Sequence, residues 1–312
     1  MNRTNISIQI RNTLSFFALF ERALSIEESR LFMYREKKDH EDVESVFDIV
    51  ALKKIVEEDL AIVPVNETYQ VKNSSYSVPR SVQDALQEHL MQKCTRYLPL
   101  LRFIPFVRMV AIGNTHAFGA ADEESDIDVF IIADQGHVWL VRFLTGILLH
   151  VLGVRRHGKK VAARFCLSFY IDQSVRDFDP IMLSDGDVYM HFWIATLLPI
   201  IGEKEYDHFI EANKKTVSDH FPHWSKDARK KFLAPKEVGG KFQHLCECFF
   251  LTKIGTFVEQ KITSLQKSKM AYIPVSLTSE ASVVVTDHML KFHNKDRRKK
   301  YRDEWNALRA IL

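Results

Sequence analysis

Along the 312-residue chain the spacing of apolar positions changes several times, and each change marks an element. In TLSFFALFERAL, Thr13 to Leu24, the apolar residues recur at helical spacing. Ser25 to Glu28 has the spacing of a capping box and opens IEESRLFMYRE, and VFDIVALKKIVEEDL gives a third helix. LAIVPVNETYQV then alternates with period two around Asn66-Glu67-Thr68, as a hairpin does with those residues at its tip. Three helices and a hairpin within residues 1–80 predict a winged-helix-like unit.

A linking helix over Ser81 to Tyr97 leads to FVRMVAIG, an apolar, β-branched run that stops at Gly113 and reads as a strand. Asp128 to Ala133 predicts a second strand, Val138 to Gly153 a long helix, and ARFCLSFYID, Ala163 to Asp172, a third strand. Beyond Tyr189 the pattern is helical, in HFWIATLLPIIG and from about Gly240 to Gln266, apart from a short strand-like run at Ser282 to Thr286. The expected fold class is therefore α/β or α+β: a mixed-sheet core over 81–187, flanked by the unit at 1–80 and a mostly helical region over 188–312. No repeat and no low-complexity linker interrupts it.

Composition excludes several classes. A hydrophobic content of 46% is that of a globular chain, and 43 basic against 40 acidic residues leaves a net charge of +3, too little for a global attraction to nucleic acid. Residues 1–80 hold 11 Lys and Arg against 13 Asp and Glu, a net of −2, so the winged helix is expected to contact protein rather than DNA. Cys94, Cys166, Cys246 and Cys248 have neither disulfide-framework nor zinc-knuckle spacing, which favours a reducing cytoplasmic setting. The N-terminus lacks the apolar core of a secretory signal. The apolar run Val138 to Val154 is broken by Arg142 and His150, and reads as a buried helix rather than a membrane span. P-loop, HExxH and nucleophile-elbow motifs are absent.

The chemistry concentrates in AIGNTHAFGAADEESDIDVFII. Three Asp-x-Asp pairs occur; Asp177 with Asp179 and Asp185 with Asp187 lie in turn-forming sequence, where Asp is favoured for its own sake. Asp126 and Asp128 instead lead into a strand, whose period points both carboxylates the same way and makes half of a hard-cation site for Mg²⁺ or Mn²⁺. Gly113, Asn114 and Thr115 follow the first strand and open a short helix over about Thr115 to Ala121, whose free N–H groups would cradle phosphate. His116 is a further phosphate contact, or caps or faces solvent; the run Arg155, Arg156, Lys159, Lys160 and Arg164 could neutralise polyphosphate, with a solvated loop as the plainer reading; and the C-terminal group Lys291, His293, Lys295, Arg297 and Arg298 suits phosphate or RNA, with a basic exposed helix as the plainer reading.

Ile112-Gly113-Asn114, an eleven-residue spacer and Asp126-Ile127-Asp128-Val129 resemble the signature of the DNA polymerase beta-like nucleotidyltransferase superfamily. Asn114 departs from the Ser or Gly usual there. The flanking stretches TLSFFALFERALSIEE, WLVRFLTGILLHVLG, CLSFY and LKFHNKD are similar to bacterial winged-helix nucleotidyltransferase-domain proteins of unassigned substrate. The resemblance implies metal held by Asp126 and Asp128, triphosphate at Gly113 and Asn114, and a third carboxylate on a later strand. The acidic residue on FCLSFYID is Asp172, at the strand end, while Ser168 holds a more central place. The implied activity is Mg²⁺-dependent transfer of a nucleoside monophosphate from a triphosphate such as ATP to the hydroxyl of RNA, protein or a small molecule. The alternative is an inactive core that senses nucleotide or holds a partner.

Overall fold

The computed structural model describes residues 3–36, 48–74, 76–235, 240–271, 282–293 and 296–312. Three helices open the chain: α1 (Arg3–Ala18), α2 (Ile26–Leu31) and α3 (Ile49–Glu58). The capping box forms as its spacing predicts: Ser25 Oγ accepts from the Glu28 N–H at 3.2 Å, and Glu28 Oε2 accepts from the Ser25 N–H at 2.9 Å. β1 (Ile62–Val65) and β2 (Thr68–Val71) follow as an antiparallel hairpin. Asn66 starts its turn at φ 56°, a left-handed conformation that Asn tolerates. Val46 and Phe47, part of the third expected helix, lie outside the described residues.

α4 (Arg80–Tyr97) then leads to β3 (Val107–Ile112), α5 (Asn114–Phe118), β4 (Ile127–Ala133), α6 (Val138–Val151) and β5 (Phe165–Asp172). The remaining elements are α7 (Val188–Thr196), β6 (Leu198–Ile201), α8 (Glu203–Ala212), α9 (Lys214–His220), α10 (Lys226–Arg229), α11 (Gly240–Phe250), α12 (Lys253–Ala271), β7 (Ser282–Val285), β8 (Met289–His293) and α13 (Arg298–Ala310). β3 to β8 form one mixed sheet in the order β6-β3-β4-β5-β8-β7. β4 and β5 are parallel, joined through α6, and the other neighbours are antiparallel.

Period two along the central strands serves two cores. Val110, Ile112, Val129 and Ile131 face α4 and α6, whereas Met109, Ala111, Phe130 and Ile132 face α7 and α8. The architecture is thus an open mixed α/β sheet with helices on both faces. Among the described residues no helix is long and apolar enough to cross a membrane. α6 instead buries Val138, Leu140, Val141 and Leu149 in the core.

The helical reading beyond Tyr189 is corrected in two places. Leu198–Ile201, within HFWIATLLPIIG, is the edge strand β6, buried throughout. Pro199 explains this, because the residue before a proline avoids the helical region and an edge strand tolerates a missing N–H. Met289–His293 is likewise a strand, so the region 188–312 supplies β6, β7 and β8 to the same sheet as β3, β4 and β5.

α7 is buried along almost its whole length and lies between the sheet and the opening helices. Trp193 packs toward the sheet, while Phe192 stacks on Phe16 with ring centroids 3.9 Å apart. His191 is buried with them: its Nδ1 is 3.0 Å from the Tyr34 hydroxyl, and its ring stacks 4.0 Å from that of His220. Burial, then the neighbouring His220, pulls the His191 pKa down to about 3. Its folded value lies below the unfolded one near ~6.5, so the neutral ring stabilises fully above that value and the contribution falls as pH drops toward 3. Denaturant unfolding of wild type and His191→Gln at pH 7 and pH 5 is expected to show wild type losing roughly 2 kcal/mol more than the variant; equal losses would contradict this account.

Candidate metal centre

β3 runs into Gly113, whose N–H donates to the Asp128 carbonyl at 3.1 Å and so ties the turn to β4. Gly113 is extended (φ −119°), and its missing side chain makes room for Trp193: a Cβ there would lie 3.0 Å from the indole Nε1. The close approach that Gly113 permits is therefore by an aromatic ring. Asn114 takes φ 54°. Its Nδ2 donates to Asp128 Oδ2 at 2.7 Å, and its Oδ1 accepts from the Tyr189 hydroxyl at 2.9 Å. The amide expected to meet phosphate is spent on orienting Asp128. α5 has five residues, Asn114–Phe118, too few for a substantial macrodipole. His116 is buried at 1% exposure, so it does not face solvent.

Asp126 immediately precedes β4 and Asp128 is its second residue. Each offers a carboxylate oxygen, and Cys166 of β5 offers Sγ, with all three atoms within 4.8 Å of one another. The parallel register places Cys166 opposite Asp128, and it shifts between Asp128 and Phe130, where β5 carries an extra residue. Ser168 Oγ lies 3.4 Å from Asp128 Oδ1, and Phe169 packs on Phe130 with centroids 5.0 Å apart. Burial, then the charge of Asp126, pushes the Asp128 carboxyl up to about 6. Burial, then Asp128, pushes the Cys166 thiol up to about 12. The only guanidinium bonded to the pair among the described residues is that of Arg156, whose Nη1 donates to Asp126 Oδ2 at 2.5 Å.

Asp172, expected as the third carboxylate, is elsewhere. It pairs with Ala133 at the far end of β4 and is buried. There it accepts from the N–H groups of Gly136 (3.0 Å) and Ser174 (2.9 Å), with His288 Nδ1 at 2.8 Å. It closes loops after β4 and β5, and these hydrogen bonds, led by that of the Ser174 hydroxyl, hold its pKa below the usual carboxylate range against the opposing cost of burial. The position on β5 facing the pair belongs to Cys166, for which the sequence offered one signal, the parallel pairing of two adjacent strands through α6.

The carboxylates open into a pocket of about 330 Å³ also lined by Thr115, Tyr189, Trp193, Lys291, Arg297 and Tyr301. β8 carries Lys291 there, 7% exposed, with its Nζ 5.7 Å from the Phe169 ring centroid. Burial, then Arg298, pulls the Lys291 pKa down to about 8. Arg298 is engaged by Asp296 and by Asp187 Oδ2 at 2.8 Å. Tyr189 and Tyr301 stack at 5.3 Å on the pocket wall. Of the basic run, Arg156 alone bonds to the pair; Arg164 bonds the Gly153 carbonyl, and Lys159 and Lys160 are exposed. Lys295 and the side chain of His293 lie outside the described residues.

Two carboxylates with a thiol opposite fit a divalent ion, which would replace Arg156 as their counter-charge. Titration with Mn²⁺ is expected to show binding by wild type, loss of at least tenfold in affinity in Asp128→Asn, and a change under about twofold in Asp172→Asn. Asp172→Asn should instead lower stability by roughly 1–3 kcal/mol, because a buried acceptor is lost. Comparison with protein-family models, curated proteins and solved structures finds no match to this chain.

Proposed function

We propose that the chain is a divalent-metal-dependent nucleotidyltransferase, moving a nucleoside monophosphate from a nucleoside triphosphate to an acceptor hydroxyl with release of pyrophosphate. The observation that carries this reading is the convergence of Asp126 and Asp128 at the mouth of a pocket holding a buried amine, that of Lys291. Adjacent carboxylates are tolerable where a cation joins them, and a buried amine finds its counter-charge in an incoming polyphosphate. The order Ile112-Gly113, spacer, Asp126-Ile127-Asp128-Val129 on two paired strands supports the likeness to polymerase beta-like transferases.

In this reading Asp126 and Asp128 hold Mg²⁺ or Mn²⁺, which when bound neutralises phosphate charge and lowers the pKa of the acceptor hydroxyl. Asn114 and Ser168 fix the orientation of Asp128. Lys291 takes the phosphates that the turn after β3 is too occupied to cradle, and Arg297 adds charge at the rim. Tyr301 offers an aromatic face for a base. Trp193 covers Gly113 and excludes water from that side. RNA, protein and small molecules all present suitable acceptor hydroxyls. The opening helices and hairpin serve as a winged helix that contacts protein: Lys53 and Lys54 on α3 lie 3.8 and 4.0 Å from Glu57 and Glu58, leaving little charge for a phosphate backbone.

A second reading, a nucleotide-sensing module without turnover, is favoured by one observation: the residue of β5 opposite Asp128 is Cys166 and not a third carboxylate. Incubation with labelled nucleoside triphosphates, Mg²⁺ or Mn²⁺ and a cell extract decides between them. Labelled acceptor and pyrophosphate are expected from wild type, with turnover at least about 10³-fold lower in Asp126→Ala and Asp128→Ala. Lys291→Ala is expected to raise KM for the nucleotide about tenfold or more. Calorimetric binding of nucleotide without any labelled product would establish the sensor, and unchanged turnover in Asp128→Ala would refute the assignment.

A further inference from the structure

The helical hairpin of α11 and α12 turns much of its apolar surface outward. Beside Phe250 and Ile262, which pack on the core, its inward side carries polar residues: Gln243 Nε2 donates to the carbonyls of Ile104 and Val107, both at 3.0 Å, and Glu247 Oε1 accepts from Arg108 Nη1 at 2.7 Å and from the Phe106 N–H at 2.8 Å. On α12, Glu259 meets His137 Nδ1 at 2.9 Å, and Gln266 binds Arg142 at 2.6 Å and the Trp139 carbonyl at 2.8 Å. The outward positions are apolar. Phe242, Leu245 and Phe249 on α11, and Ile254, Phe257 and Leu265 on α12, are 49–69% exposed. Spacings of three, four and eight gather each set into one row along its helix. A surface helix of a globular protein buries its apolar stripe, and here a large part of that stripe is exposed.

The hairpin is a built element. Its corner closes tightly at Gly255, where a Cβ would lie 2.2 Å from the Phe249 carbonyl oxygen, so only glycine fits. Its charges are sorted as well. The acidic residues Glu247 and Glu259 face inward and are paired, whereas Lys241, Lys253, Lys261 and Lys269 are exposed. Lys261 lays its chain beside Phe257, with Nζ 5.3 Å from the ring centroid, as a lysine does when its stem follows apolar surface.

We propose that this face is a membrane-surface anchor that lies in the headgroup region of an anionic bilayer, with its phenylalanines and leucines toward the acyl chains and its lysines among the lipid phosphates. Apolar rows flanked by the exposed Lys241, Lys253, Lys261 and Lys269 match an anionic lipid surface on both counts. A second copy of this chain matches on one, because a two-fold contact would bring the same lysines together. Neither helix is long and apolar enough to cross, so the hairpin lies on the membrane.

Flotation of the full chain with vesicles of phosphatidylcholine alone, and of phosphatidylcholine with phosphatidylglycerol in equal parts, tests the proposal. Wild type is expected to float with the anionic vesicles, less so as salt rises. The triple variant Leu245→Ser, Phe249→Ser, Phe257→Ser and the double variant Lys253→Glu, Lys261→Glu are each expected to lower the bound fraction about tenfold or more. Circular-dichroism melts should show both variants folded, since the changed side chains are exposed. Absence of wild type from the anionic vesicles would overturn the proposal, as would undiminished binding by the folded triple variant. Concentration-dependent dimerisation without flotation, removed by the triple variant, would assign the face to a second copy and overturn it equally.

Discussion

Two carboxylates held side by side at a half-buried strand end are the constraint around which this molecule is arranged. At ~4 Å and an effective dielectric of ~20 their repulsion is on the order of 4 kcal/mol, a large fraction of the net stability of a domain. The surrounding residues offset part of it: Arg156 reaches Asp126 from the loop after α6, and Asn114 donates to Asp128. That compensation has structural costs. Asn114 takes a left-handed backbone conformation to reach Asp128, and the turn it occupies closes under Trp193. The pair opens into a pocket that Lys291 also lines.

The pocket wall is continuous with the rest of the fold. Asp187 caps α7 by accepting from the Met190 N–H at 3.0 Å and also holds Arg298, which lines the pocket at the start of α13. Further along α13, Trp305 donates to the Asn12 carbonyl of α1 at 2.9 Å. The opening helices therefore share a core with Phe118, Val188 and Phe192. Arg229 reinforces this seam: it is buried, donates to the carbonyls of Ala117 and Thr196, and lies 5.2 Å from the Phe32 ring. Burial pulls its pKa down to about 10, still high enough to keep the charge.

The hairpin of α11 and α12 shows where a sequence pattern is silent. Rows of apolar residues at helical spacing on α11 and α12 read as an amphipathic stretch, and an amphipathic stretch ordinarily predicts a buried stripe. Which stripe turns inward depends on what the facing surface offers. Here that surface presents Arg108, His137, Arg142 and the carbonyls of Ile104 and Val107, which attract Glu247, Glu259, Gln243 and Gln266.

What the chain determined locally was readable from it. The capping box at Ser25, the hairpin at Asn66, the strands ending at Gly113 and beginning near Asp128, and the juxtaposition of Asp126 with Asp128 all follow from spacings within a few residues, where backbone periodicity decides. What lay beyond that range required the folded chain. β6 resembled a continuation of α7 until its pairing with β3 made Leu198–Ile201 an edge strand, and β8 resembled a basic tail until it paired with β5 and brought Lys291 to the carboxylates. Asp172 and Cys166 share one strand, yet only the register between β4 and β5 decides which of them meets Asp128, because residues six apart on an extended strand are separated by ~20 Å. Local periodicity sets where a side chain points, but its neighbours are set by strand pairing and packing between residues far apart in the chain.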